Sequence, residues 1–407
     1  WLNSGKKLLD HVDGRVRQWD AGDFKARCGN VATPWAPNNI SKEPEDLTVV
    51  QATALSVNTA FADMAHQLDL CDIRDVAMAF GVHRADGNEL SYVPSSILGI
   101  NEIAPITMAA ALGGIANNGT FCTPIAIDKV IKRATKTEMA IPTSKCSQAV
   151  TPEVSAGMLY AMKRVVSGGT GGASSTGDGV MLAGKTGTTD SGVHTWMTGA
   201  STAVATATWV GNVSGSTSLS RISLNGKAGN TVRHDIWRSI MQVANKQYPT
   251  GVFPNPPQSM IDATMITVPQ VSGQAPSDAE QNILINDLNA TIVVKKVASS
   301  QPAGTVAYTR PSGGQVIPRG SQVKIFVSSG GQIKIPSAGV VGETPENAIA
   351  TLVGAGFSTA TAPQPSQTQL FQRSDTIPAG RVLGTIPAVG KSASKDSAIL
   401  LIISTGP

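Results

Sequence analysis

Apolar residues recur every three to four positions over residues 48–68, 102–116, 152–166 and 236–245, the spacing that gives a helix one oily face. The punctuation agrees. Pro105 suits a first helical turn, Gly119 marks the same helix's stop, and Glu45 and Asp46 precede the first run, where a helix N-terminus favours negative charge. Residues 130–139 read as a surface hairpin, and residues 179–183 lead from a Gly/Ser-rich run into an apolar segment that opens a strand over 184–190. Residues 200–212 are small and apolar, which predicts a central strand covered on both faces. Residues 1–46 show no period and read as loops, with Trp1, Trp19 and Trp35 set among Gly, Pro and Asn.

Beyond residue 250 the pattern changes. A Pro-rich linker over 251–264 gives way to Val, Ile, Ser, Pro and Gly, and one motif occurs twice. Pro302-Ala303-Gly304, Val306, Pro311, Gly314, Ser321 and Ser328 return 76 positions later as Pro378-Ala379-Gly380, Val382, Pro387, Gly390, Ser397 and Ser404. Upstream, Val268-Pro269 matches Ile335-Pro336 at a smaller offset, so the second copy carries extra loop residues, placed around 364–374. Each copy predicts one helix, near 277–289 and 345–355, packed on three short strands. The organisation expected is residues 1–250, the linker, and two small α+β repeats over 265–330 and 331–407.

Composition narrows the function. A length of 407 residues leaves room for two to four domains, and a net charge of +4 is too dilute to argue for nucleic acid. No apolar run reaches the roughly 18 residues of a membrane span, and the abrupt start looks like a fragment of something longer. Cys28, Cys71, Cys122 and Cys146 form no CxxC pair and have no histidine at metal-ligand spacing, so neither a metal site nor another cofactor is expected. Cys122 and Cys146 flank an alternating segment and can bridge in an oxidising compartment; four reduced core thiols fit the same sequence.

Candidate chemistry centres on Gly184-Lys185-Thr186-Gly187-Thr188-Thr189-Asp190, which puts a cation, hydroxyls and bare backbone on one strand. Gly187, lacking a side chain, is expected to leave the lysine side open for a substrate backbone that pairs as an added strand. Ser56 and Asn58 fall within the first helical run. On one continuous helix they would point to nearly opposite sides, so a shared pocket needs a break between them, with Asn58-Thr59 capping a second helix.

Ser56-x-Asn58, followed 129 positions later by Lys185-Thr186-Gly187-Thr188, resembles the second and third active-site motifs of the penicillin-binding proteins. The flanks, Trp196, Gly199 and Ala207-Thr208-Trp209-Val210-Gly211-Asn212, are similar to the class A branch. Over about residues 1–250 the resemblance implies a five-stranded antiparallel sheet flanked by helices, with the Lys185 strand at an accessible edge. It implies an exported D,D-transpeptidase on the outer face of the bacterial membrane that cross-links peptidoglycan stem peptides from a lipid-linked precursor and is acylated by β-lactams. A membrane anchor and a glycosyltransferase domain would precede this region in class A proteins. In the implied roles, Lys185 holds a neighbouring base neutral, Ser56 relays a proton to the leaving amine, and Asn58 holds the substrate backbone. Thr186, Gly187 and Thr188 form the substrate and β-lactam site: the two hydroxyls meet the terminal carboxylate beside the lysine, and the Thr188 N–H, after a local twist, is one arm of the oxyanion hole.

One motif departs from the family. Its Ser-x-x-Lys nucleophile should lie several dozen residues ahead of Ser56, and Ser4-Gly5-Lys6-Lys7 sits too close, which places the nucleophile upstream of Trp1. A D,D-carboxypeptidase or a non-catalytic wall-binding protein are the alternatives. The tail looks like a pair of PASTA domains, for which a spacer or weak-binding role is expected, because neither copy shows an aromatic platform or clustered charge in its sequence.

Overall fold

The computed structural model describes all 407 residues, Trp1–Pro407. The chain forms two units, Trp1–Met265 with Pro318–Ser321, and Ile266–Ile317 with Gln322–Pro407.

The first unit contains α1 (Val49–Leu55), α2 (Asn58–His66), α3 (Leu70–Ala79), α4 (Pro105–Ala116), α5 (Pro152–Gly168) and α6 (Val232–Gln247). Its antiparallel sheet runs β1 (Ala183–Thr188), β2 (His194–Ala200), β3 (Ala205–Gly211) in sequence order. The central strand is therefore β2, not the 200–212 segment that composition favoured. β3 is an edge whose Trp209 stays 36% exposed, and its small residues serve close contact with α4. The sheet has three strands where the resemblance implied five. The other short strands of this unit, two or three residues each, close on one another as separate ribbons.

Helix starts follow local chemistry. Thr48 caps α1 in a capping box, its Oγ1 accepting from Gln51 N at 3.2 Å while Gln51 Oε1 accepts from Thr48 N at 2.9 Å. Asp46, expected to act on that helix's dipole, instead lies in a short strand paired with His11–Asp13. Pro105 and Pro152 occupy first turns, and Gly119 turns the chain after α4 at φ +80°.

Strand alternation divides the sheet between two cores. Ala183 packs with Leu112, Ile115 and Leu159 of α4 and α5. On the opposite face Met197 of β2 packs with Trp237 and Met241 of α6, all three fully buried. Gly184 and Gly199 are paired across β1 and β2, and a Cβ on Gly199 would lie 2.9 Å from the Trp237 ring and 2.6 Å from Ala183 O. Only glycine lets the sheet and α6 approach this closely.

The second unit repeats itself. In the first copy a helix (Pro276–Ile285) covers a sheet of Asn289–Val297, Gln322–Ser328 and Val306–Arg310, with Gln322–Ser328 central, parallel to the first and antiparallel to the last. In the second, the helix Pro345–Gly354 covers Ala398–Ser404, whose antiparallel partner is Val382–Ile386. The parallel partner is split there into Thr359–Thr361 and Phe371–Gln372, so the additional residues interrupt an edge strand. Each copy has its own apolar core, around Ile283, Val323 and Ile325 in one and Leu352, Ile399 and Leu401 in the other.

The first copy does carry a small aromatic cluster, contrary to the sequence reading. Strand register brings Tyr308 onto Phe326 at 4.7 Å between ring centroids, with the Arg310 guanidinium 5.5 and 5.7 Å from the two rings. The equivalent positions in the second copy are Gly384, Ile402 and Ile386.

Candidate active site

The helical break falls between the two candidate polar residues. α1 ends at Ser56 in the left-handed region (φ +58°, ψ 49°), Val57 is extended, and α2 starts at Asn58. A serine there costs on the order of 1 kcal/mol of backbone strain, and the turn directs its hydroxyl away from both helix axes. Val57 rather than Asn58 is the cap residue of α2, and no side chain caps the helix; Asn58 Nδ2 donates to Asn38 O at 2.8 Å and Thr59 Oγ1 to Gly14 O at 2.6 Å.

Lys185 meets Ser56. Its Nζ donates to Ser56 Oγ at 2.5 Å and to Thr186 O at 2.9 Å, joining two residues 129 positions apart. The lysine also lines an apolar trough of about 900 Å³ whose walls include Leu2, Phe61, Met64, Val154 and Met158. Burial, and secondarily the positive charge of Arg233, bring its ammonium down to about 8. No carboxylate opposes that shift.

The remaining strand residues separate by face. Register is unbroken from Ala183 to Thr188, without a bulge, so the ladder does not supply the twist that the Thr188 role required. Thr186 and Thr188 lie on the α6 face, opposite Lys185. The Thr186 hydroxyl bonds that of Thr170 at 2.6 Å, and Thr188 Oγ1 accepts from Arg233 Nη1 at 3.0 Å. Gly187 is half-buried, and an added Cβ would meet only its strand partner, 3.3 Å from Trp196 Cβ. The outer edge of β1 has no partner strand and leaves backbone groups available.

Arg233 and His234 were invisible to the sequence reading, since nothing nearby in sequence marks them. Arg233 Nη1 also donates to Gly187 O at 3.3 Å, and its Nε donates to His234 Nε2 at 3.2 Å. With Nε2 accepting, the histidine proton sits on Nδ1 and points to Ser174 Oγ, 2.8 Å away. Burial first, then Arg233, pushes His234 down to about 4, so the ring is neutral at pH 7.

Ser4 is not drawn into this cluster. Its hydroxyl donates to Trp1 O at 2.7 Å, and the Lys7 ammonium binds Ser259 O. Cys122 and Cys146 are bonded across paired strands, and Cys28 is bonded to Cys71, a pair the spacing had not suggested.

Comparison with known proteins fixes the lineage. The penicillin binding protein transpeptidase domain matches residues 17–242, more than half of the chain. The chain belongs to the penicillin-binding protein transpeptidase family. PASTA domains match residues 266–329 and 338–405. Penicillin-binding protein 1A of Aquifex aeolicus is 29% identical over 271 residues, covering 63% of this chain and 35% of the relative. Penicillin-binding protein 1B of Escherichia coli is 31% identical over 184 residues, covering 44% of this chain and 21% of the relative. The chain thus spans about a third or less of these two relatives. Among solved structures, Mycobacterium tuberculosis PonA1 in complex with penicillin V shares the fold, with a TM-score of 0.52 and 23% identity over 63% of this chain and 68% of PonA1. These penicillin-binding relatives include both 1A and 1B types, in keeping with the class A flanks around Trp196 and Trp209.

Proposed function

We propose that residues 1–250 are the acyl-transfer part of a peptidoglycan D,D-transpeptidase, acting outside the cytoplasm on stem peptides of a lipid-linked precursor and open to acylation by β-lactams. The observation that carries the reading is the Lys185–Ser56 contact beside an unpaired strand edge. A substrate laid along that edge would present its scissile carbonyl to the Ser56 side. Ser56 Oγ, held by an ammonium, is placed to pass a proton to the departing D-Ala amine, while Lys185, by its charge, keeps a second lysine neutral and able to deprotonate the attacking serine. Asn58, with its amide nitrogen on Asn38 O, keeps Oδ1 for a substrate N–H. The attacking serine and its lysine are assigned to a Ser-x-x-Lys segment ahead of Trp1, since Ser4 is turned onto its own backbone. Two disulfides suit an exported protein. Residues 251–264 serve as linker, and the PASTA pair as spacers or weak muropeptide binders.

Labelling the full-length protein with fluorescent penicillin tests the assignment. The expected result is a label on a serine ahead of Trp1 that disappears in Lys185→Ala; an unlabelled protein, or a label indifferent to that substitution, sinks it. Dimeric rather than shortened monomeric products from natural substrate distinguish transpeptidation from carboxypeptidation.

A further inference from the structure

We infer that Arg233 is the guanidinium that receives the substrate's terminal carboxylate, with His234 as the residue that positions it. The inference rests on the transpeptidase reading and adds a specificity-determining group outside the strand motif. Three observations carry it.

The first is charge. Arg233 is half-buried and has no carboxylate partner, and desolvation alone holds its guanidinium below the ordinary arginine range. The neighbouring Asp235 is committed to Lys227 and Arg238. A partly desolvated cation without a counter-ion lacks the anion that would offset its burial.

The second is direction. Alternation sends Lys185 to one face of the β1 edge, where it is engaged by Ser56 and Thr186 O, so it is poorly placed to hold an anion on the other. On the α6 face the Thr186 hydroxyl is bonded to Thr170, which leaves Thr188 Oγ1 and the Arg233 fork, already 3.0 Å apart, as the polar groups at the strand end. A peptide added along β1 would then place its reacting carbonyl and its carboxylate on opposite sides of the edge, each with its own cation.

The third is support. Ser174 Oγ, His234 and Arg233 Nε form a hydrogen-bonded line from buried interior to site, and the neutral imidazole can accept from the guanidinium only as one tautomer. This fixes the guanidinium plane, with Nη1 held on Gly187 O and Thr188 Oγ1 and Nη2 without a protein partner.

The test uses N-acetyl-D-alanyl-D-alanine and its C-terminal amide, titrated by ligand-observed NMR onto the whole protein and its Arg233→Gln, Arg233→Lys and His234→Ala variants. The wild type should prefer the carboxylate about tenfold, the ratio expected of one charge-assisted pair. Arg233→Gln should bring the two probes within about twofold, Arg233→Lys should fall between because it keeps charge without the fork, and His234→Ala should weaken the preference about threefold. A fold-loss artefact would weaken both probes alike, whereas a carboxylate held by Arg233 requires the ratio to move. In parallel, Arg233→Gln should move the alkaline limb of penicillin labelling to higher pH, because Lys185 would lose a neighbouring positive charge. If Arg233→Gln retains the wild-type preference, the Arg233 assignment is overturned and the transpeptidase reading stands. If the wild type binds neither probe, both fall.

Discussion

Both units bury hydroxyl-bearing side chains, and those around the candidate site differ in use from those of the tail. In the PASTA pair those hydroxyls close the backbone on itself, and they do so twice: Ser328 Oγ donates to Gln301 O and Ser404 Oγ to Ile377 O, at 2.8 and 2.7 Å. Thr309 and Thr385 likewise donate to Pro311 O and Pro387 O. Each of these four hydroxyls has a backbone acceptor of its own. In the transpeptidase unit Thr186, Ser174 and His234 are similarly buried but bond to other side chains: Thr186 to Thr170, and Ser174 through His234 to Arg233, a cation without a carboxylate partner. Polar burial that completes the backbone stabilises; polar burial that ends in unmatched charge spends stability on recognition.

The contrast can be broken at either end. The largest effect belongs to Lys185→Met, which should lower the rate of penicillin labelling by about a thousandfold or more, a transition-state loss of roughly 4 kcal/mol. The same change should leave urea stability of the unit unchanged or raised, because it removes a desolvated ammonium; a clear loss of stability would make the lysine a structural group. In the tail, Leu352→Ala empties a fully buried site and should cost about 2–5 kcal/mol by denaturant titration, with no specific effect on labelling chemistry. Ser328→Ala and Ser404→Ala should each cost about 1–3 kcal/mol and by similar amounts, since each leaves the same kind of carbonyl unpaired. Unequal costs would show that the duplicated bonds are not equivalent.

The smallest effect is in pH. Lys185 is charged below about 8 and neutral above it, so labelling that needs the cation should decline as pH rises through that value. The linkage has the opposite sign for folding. An unfolded lysine stays protonated to its ordinary 10.5, so the burial penalty is present in full below about 8 and is relieved as pH rises from there toward 10.5. Activity and this residue's contribution to stability should therefore move in opposite directions over the same interval, a pairing readable from labelling rates and urea midpoints in one buffer series.

Much of this was readable along the chain where the cause is local. Pro105, Pro152 and Gly119 punctuate helices by their own backbone limits, and the 76-residue recurrence marks both tail modules in the sequence. Ser56 and Lys185 were legible only through the order of their motifs, since no local rule brings residues 129 apart into contact. What stayed hidden depends on packing across elements. Sheet order could not be read because residues 200–212 are small to admit α4, not because they are central. The Cys28–Cys71 bridge depends on how an irregular segment meets α3. Arg233 and His234 gain meaning only once α6 lies on the strand bearing Thr188, and Tyr308 with Phe326 only once two strands are in register.

The interrupted edge strand of the second PASTA domain has a practical side. Thr359–Thr361 and Phe371–Gln372 keep parallel pairing with Ala398–Ser404 on either side of residues 362–370, so the sheet accepts a detour there without forfeiting its ladder. That seam is a natural splice point. A fluorescent or affinity tag grafted at 364–366 would report on the module from its rim, with the helix, the central strand and the Leu352 core left as they are.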